Sequence, residues 1–210
     1  HLSIRRQRQM CIRDRNRTNH QNISVSKTNV IASSGLFKIE LIEELGTDDY
    51  KPLITISHSL AEKYGEKYIL NETTIDKYFN RSGSLPIIAR FQKNIIGYII
   101  GMPLELLSQE PWARMDENYG KFNTIYTYAF VIQNDYKKNG YAKILKKVYL
   151  NWAKKRDGIL YNTGHVKTGI SLNFKGQIDI VGSVDNWQGT GKQFEYYRRT
   201  LDPEKIYQKK

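Results

Sequence analysis

The stretch from Thr124 to Lys155 constrains the fold more than any other, because it reads as a strand running directly into a basic amphipathic helix. Thr124 to Ile132 is rich in Tyr, Ile, Val and Phe, the composition of a strand. The chain then turns through Gln133-Asn134-Asp135, and from Gly140 to Arg156 it takes helical spacing, with Tyr141, Leu145, Val148 and Trp152 along one face. Lys143, Lys147 and Lys154 stand on another face. Lys137, Lys138, Lys143, Lys146, Lys147, Lys154, Lys155 and Arg156 crowd this segment with no acid among them. A helix start presents unpaired N–H groups and the positive end of the dipole, which suits a phosphate. Gly140 permits positive φ and close backbone approach, and the small Ala142 leaves the first turn uncrowded. Alone, such a glycine and such lysines describe a turn and a solvated helix face. Their position after a strong strand, late in the order of elements, gives them functional weight.

Size and charge narrow the partners. The chain has 210 residues, room for one ordinary domain, and its 33 Lys and Arg against 21 Asp and Glu leave a net charge of +12. That surplus favours an anion: nucleic acid, a phosphorylated cofactor or an acidic membrane surface. The longest apolar run, Ile95 to Leu107, is broken by Gly97, Gly101, Pro103 and Glu105 and falls short of the ~20 residues of a membrane span. No membrane partner is expected. Cys11 is the only cysteine, which excludes an intrachain disulfide and a thiolate zinc site, and His1, His20, His58 and His165 show no metal-ligand spacing. No metal is expected, and a reducing, cytoplasmic setting is compatible.

The amino-terminal residues are set aside. His1 to His20 carries six arginines against Asp14 alone, and Arg6 to Arg15 reads like translated sequencing-adapter DNA, so residues 1–15 are expected to be non-native. An Arg-rich transit peptide or a nucleic-acid-binding arm shares this composition. Asn16 to Ser34 is polar and is expected to be a disordered lead-in, which puts the domain at 35–202 and a basic tail at 203–210. Within the domain, Leu36 to Ile42 reads as a strand. A helix capped by Asp48 or Asp49 follows, with Leu53, Ile56, Leu60 and Tyr64 on one face, and a short helix follows Asn71. Leu85 to Gln92 and Ile95 to Met102 form a hairpin turning at Lys93-Asn94. After the Thr124 strand and the Gly140 helix come a strand at Ile159 to Thr163, a weak helical turn at Gly169 to Phe174, and strands at Ile178 to Val184 and Phe194 to Thr200. The order is β-α-α-β-β-β-α-β-α-β-β.

In that order, Lys137-x-x-Gly140-x-Ala142 resembles the Gln/Arg-x-x-Gly-x-Gly/Ala signature of the GCN5-related N-acetyltransferase (GNAT) superfamily, with lysine at the first position. The resemblance covers roughly Leu36 to Leu201. It implies a mixed, mostly antiparallel α/β sheet flanked by helices, and transfer of an acyl group, acetyl first, from acetyl-CoA to a small-molecule or peptide amine by direct attack in a ternary complex. The family's fourth and fifth strands splay, and the pantetheine arm pairs with exposed backbone. By position, Phe130, Val131 and Ile132 would supply those contacts. Lys137, Lys138, Asn139, Gly140, Tyr141 and Ala142 would cradle the pyrophosphate, with Lys143 and Lys147 adding charge.

The family's usual catalytic groups are absent. Its fourth strand often carries a Glu base, but here that strand offers Tyr126, Thr127 and Tyr128. Asn173 aligns with the usual Tyr acid. His165, placed just beyond the fifth strand, is the titratable substitute, and Tyr196 and Tyr197 are alternatives. Glu105, Glu110, Asp116 and Glu117, against Arg114 and Lys121, make the loop after the third strand acidic, which would attract a cationic amine or describe an ordinary solvated loop, and Trp112 could pack over the substrate or simply anchor the loop. Two other readings stay open: a catalytically silent CoA-binding protein of this fold, and a basic nucleic-acid-binding module, for which the chain offers no recognised motif.

Overall fold

The structure of the protein, a computed structural model, describes residues 23–207. Cys11 and the arginine-rich stretch called non-native lie outside the described residues. Eight strands, β1 (Lys27–Ser34), β2 (Phe37–Glu44), β3 (Leu85–Phe91), β4 (Asn94–Pro103), β5 (Thr124–Ile132), β6 (Tyr161–Lys167), β7 (Ile178–Val184) and β8 (Phe194–Thr200), form one sheet. Their order across it is β1-β2-β3-β4-β5-β6-β8-β7. Every neighbouring pair is antiparallel except β5 with β6, so the mostly antiparallel mixed sheet implied by the sequence is the one observed.

Helices cover both faces. On one lie α1 (Tyr50–Tyr64) and α2 (Glu72–Phe79), which bury Leu53, Ile56, Leu60, Ile75 and Phe79 against Tyr98, Ile100 and Met102 of β4. On the other, α4 (Tyr141–Lys155) buries Leu145, Tyr149 and Ala153 against Ile39, Ile87 and Ile99. The buried stripe of α4 is therefore centred on Tyr149, and Tyr141, Val148 and Trp152 flank it, half-buried. The short α3 (Pro111–Arg114) lies in the β4–β5 connection.

Capping explains how α2 starts but not how α1 does. Asn71 accepts from the Thr74 amide at 2.9 Å while Thr74 Oγ1 accepts from the Asn71 amide at 2.8 Å, a reciprocal box at the start of α2. Asp49 stands at the N-cap of α1 but makes no side-chain cap bond, because its buried carboxylate is taken by Arg90, which also donates to Glu40. The Asp cap was expected and is not formed.

Several other sequence expectations are corrected or narrowed. The lead-in 16–34 is not disordered over its described end, since Lys27–Ser34 pairs along β2 as an edge strand. An edge strand with one solvated face tolerates the Ser, Thr and Asn content that reads as disorder. The β3–β4 hairpin turns one residue early, with Gln92 at φ +56. The Gly169 to Phe174 turn is a single short 3-10 turn, Ser171–Asn173, and the expected basic tail begins as α5 (Pro203–Tyr207). Finally, β6 starts and ends later than its apolar residues suggest: Gly164 and His165 lie inside it, opposite Tyr197 and Tyr196 of β8. Neither residue favours a strand by itself. A Cβ on Gly164 would lie 3.0 Å from the Tyr197 ring, so any other residue here requires that ring to shift by a few tenths of an ångström.

Candidate active site

The parallel pair β5 and β6 holds together over only three positions, Thr124, Ile125 and Tyr126 against Tyr161, Asn162 and Thr163. Beyond them β5 continues along β4 to Ile132 and β6 continues along β8 to Lys167. The two strands part, and the β5 edge from Thr127 to Ile132 has no strand beside it. A bulge at Tyr128 opens the same point: Ile100 faces Ala129 while the next residue, Gly101, faces Thr127. Between the strands lies a cavity of about 240 Å³, walled by Tyr64, Tyr126, Phe130, Lys146, His165 and Tyr197 among others. A groove of about 270 Å³ runs on from it along Phe130, Val131 and Ile132 to Lys63, Lys137 and Ala142. No carboxylate lines either space.

At the end of that groove the backbone makes an anion cradle. Lys138 (φ +67) and Gly140 (φ +79) are both left-handed, and α4 begins directly after. The amides of Lys138, Asn139, Gly140, Tyr141, Ala142 and Lys143 donate to no group among the described residues. Consecutive free N–H groups at a helix start, with the helix dipole behind them, bind phosphate oxygens. A non-glycine residue held at positive φ is the local strain found at such sites. The ring of Tyr141 packs away from the groove, stacked on Phe37 at 4.4 Å, and so anchors the turn while its amide stays free.

Charge follows the same geometry. Partial desolvation, and then the neighbouring Lys137 ammonium, push the Lys63 amine below its ordinary value. The Glu62 carboxylate acts the other way on Lys63, but no acid lines the groove itself, so two cations there favour an anion. Lys63 stands on α1, far along the chain from Gly140, and no spacing in the sequence links it to that segment. Lys143 and Lys147 stand exposed on α4 and line neither space, so their charge could act only at a distance.

The candidate catalytic residues fall in different places. His165 lies inside β6, buried, stacked between Trp187 at 3.8 Å and Tyr196 at 4.7 Å, with Nδ1 at 2.9 Å from Tyr126 Oη. Burial lowers its pKa to about 3, so at neutral pH the imidazole is neutral and does not titrate. The sequence reading gave it an ordinary imidazole; packing removes that property. Tyr128 Oη donates to Tyr78 Oη at 2.7 Å and its ring stacks on Tyr78, while burial raises its pKa. Asn173 is exposed in the 3-10 turn and lines neither space; Phe174, next to it, lines the cavity. Tyr197 also lines the cavity, its pKa raised by burial to about 12, and its neutral hydroxyl donates to Asn162 Oδ1 at 3.4 Å.

The acidic loop is spent on structure. Glu105 accepts from the Gly120 and Phe122 amides, Glu110 from Lys67 and Trp112, Asp116 from Tyr196 and Arg198, and Glu117 from Arg198. Asp116 and Glu117 fasten the β4–β5 connection to β8, Glu105 ties the connection to itself and Glu110 ties it to Lys67, so each of the four acids already holds a partner. Trp112 anchors in the aromatic cluster, 4.5 Å from Tyr126 and 4.9 Å from His165.

Compared with known proteins, the sequence matches the acetyltransferase (GNAT) family over residues 53–173, more than half of the chain. The chain belongs to the GNAT family. No curated protein matches it by sequence. Among solved structures, this GNAT chain is similar to yncA from Salmonella typhimurium with its cofactor acetyl-CoA, at 12% identity and TM-score 0.58, covering 80% of this chain and 95% of that one. It is also similar to the ribosomal-protein-S18-alanine N-acetyltransferase of Escherichia coli, at 12% identity and TM-score 0.53, covering 79% and 94%. NAA60 of Arabidopsis thaliana in complex with a bisubstrate analogue is a third, at 11% identity and TM-score 0.56, covering 74% and 95%. At these identities the likeness is one of fold. No described helix of this GNAT protein is long and apolar enough to cross a membrane.

Proposed function

We propose that the protein is an acyl-CoA-dependent N-acyltransferase that moves an acyl group, acetyl first, from the thioester to a small-molecule or peptide amine. The observation that carries this reading is the continuity of the cradle, the groove and the cavity: six amides without an acceptor among the described residues at one end, an unpaired strand edge in the middle, and a partly open chamber rich in aromatic rings at the other. The amides of Lys138 to Lys143, with Lys63 and Lys137, hold the pyrophosphate. The backbone of Phe130, Val131 and Ile132 pairs with the pantetheine arm as an added strand would. Acetyl-CoA supplies the activated acyl group. Thr127, Phe130, Tyr197 and Lys146 surround the reacting end and exclude water.

Without a carboxylate in the chamber, rate comes first from holding amine and thioester together, an effect worth up to ~7–11 kcal/mol in well-oriented cases. Tyr197 can donate its proton toward the departing sulfur. His165 supports the chamber wall and fixes Tyr126, rather than carrying the proton at neutral pH.

Calorimetric titration of acetyl-CoA tests the binding half of this reading, and free-thiol release with a panel of amines tests the transfer half. Binding with turnover is expected for at least one amine. Absence of binding would end the proposal. Binding without turnover on any amine would favour the CoA-binding, non-catalytic form of the fold, the reading that the missing carboxylate supports.

A further inference from the structure

Lys146 is the only Lys, Arg, Asp or Glu side chain that lines the chamber, and it reaches there from the second turn of α4. Its Nζ donates to Thr127 Oγ1 at 3.2 Å, at the first β5 residue past the split from β6. Thr127 Oγ1 also accepts from Asn162 Nδ2 at 2.9 Å and donates to Tyr149 Oη at 3.2 Å. The Phe130 and Tyr149 rings lie 5.7 and 5.1 Å from Nζ. No carboxylate among the described residues pairs with it. A lysine amine is thus held by one hydroxyl, between aromatic rings, at the point where the bound thioester would lie.

We propose that Lys146 is a self-acylation site: its Nζ takes the acyl group from acyl-CoA bound in the chamber. In the step, the Nζ lone pair attacks the thioester carbonyl carbon and an N–C bond forms. The C–S bond breaks, the proton lost from nitrogen goes to sulfur, and coenzyme A leaves as its thiol. The product is an amide on Lys146 that has lost the chamber's one cation and fills space needed by an acceptor. Acylation here would therefore limit transfer to other amines.

The neighbourhood supports a nucleophilic amine. Burial, and then the Arg199 guanidinium on β8, lower the Lys146 pKa to about 7, so about half the molecules carry the neutral amine at neutral pH. The other titratable groups around it are Tyr126 and Tyr128 of β5, Tyr149 of its own helix, His165 of β6, Tyr197 of β8, and Tyr64 and Tyr68 beside α1. The six tyrosines, whose pKa values are raised, and His165, whose pKa is lowered, all stay neutral near pH 7, so the amine titrates without competition from them.

This inference rests on the acyl-CoA reading, and one experiment separates the two. The full chain is incubated with acetyl-CoA without any acceptor, its intact mass is followed, and the modified residue is mapped by peptide mass spectrometry from pH 6 to 9. In parallel, calorimetry measures acetyl-CoA binding to Lys146→Met, which cannot be acylated there. The expected result is one acetyl group per chain on Lys146, with a rate that rises to a plateau through a midpoint near pH 7. Acetyl-CoA binding with no gain in mass overturns self-acylation and leaves the acyl-CoA reading standing. Modification spread over exposed lysines such as Lys143 and Lys147, still accelerating at pH 9, also overturns it. Failure of both the parent and Lys146→Met to bind overturns both proposals.

Discussion

The two ends of the split between β5 and β6 are built on opposite plans. At the α4 end, six amides donate to no group among the described residues, two residues sit at positive φ, and Lys63 and Lys137 share a groove that no acid lines. At the β8 end, Trp112, Trp187, Tyr196 and His165 pack ring on ring, and Tyr196 and His165 have hydrogen-bond partners. A region that leaves donors unmet and charges unbalanced gives up folding stability, which a bound anion restores. A region with its rings closed on one another contributes stability itself. The comparison teaches that the histidine, chemically the more conspicuous residue, is packed into the scaffold, whereas the lysines and the bare backbone of the other end are the groups left available to an anion.

The largest effect is expected where the open end depends on backbone conformation. Gly140→Val should weaken acetyl-CoA binding on the order of 100-fold by calorimetry, because a β-branched residue resists φ +79 and its side chain would fill the space proposed for the phosphate. The same Cβ meets no protein atom within 4 Å, so circular dichroism should still report a folded chain. Unchanged affinity in the folded variant would make the open end an ordinary turn.

Lys146 lies between the two ends, and its effect is on stability. Its folded pKa of about 7 is below the unfolded value of 10.5, so between those values the unfolded chain holds a proton that the folded chain releases. Parent stability therefore falls as pH drops from about 10.5 to 7, and the penalty is constant below. Lys146→Met removes the penalty and should gain roughly 2 kcal/mol in urea unfolding at pH 6, discounted for the partly exposed stem, with the gain shrinking toward pH 10. A gain independent of pH would mean that the amine is not desolvated.

Smaller changes sharpen the charge side of the comparison. Lys63→Met and Lys137→Met should each cost about 10-fold in acetyl-CoA affinity at low salt, and Lys143→Ala and Lys147→Ala only about 3-fold, all shrinking as salt is raised. Equal losses at all four positions would show a general field and no organised groove. The smallest effect belongs to the closed end. With a pKa of about 3, His165 should leave the pH–rate profile between pH 6 and 8 unchanged in shape when replaced by Gln, even if turnover drops through looser packing. A shifted acidic limb would return His165 to proton transfer.

What the sequence made legible was what periodicity and turn chemistry encode. Strand β5 is bounded by the residues expected, Gly140 stands at the helix start as read, and the faces of α1 and α2 follow from Leu53, Ile56, Leu60 and Ile75. Tertiary placement was not legible. Of eight basic residues around α4, spacing cannot tell which one turns into the sheet, so Lys146 looked like its neighbours. The polar strand β1 forms only because β2 offers it an edge. His165 loses its ordinary titration to Trp187 and Tyr196, residues far along the chain from it or brought in by a different strand.

Hydrogen exchange of the backbone with and without acetyl-CoA tests the central claim most directly, because the claim concerns amides. The account predicts that acetyl-CoA slows exchange at Lys138 to Lys143 and along Phe130 to Ile132, while the already paired amides of β6 opposite β8 change little. Slowing confined to other segments, with those two stretches exchanging as fast as in the free protein, would contradict it.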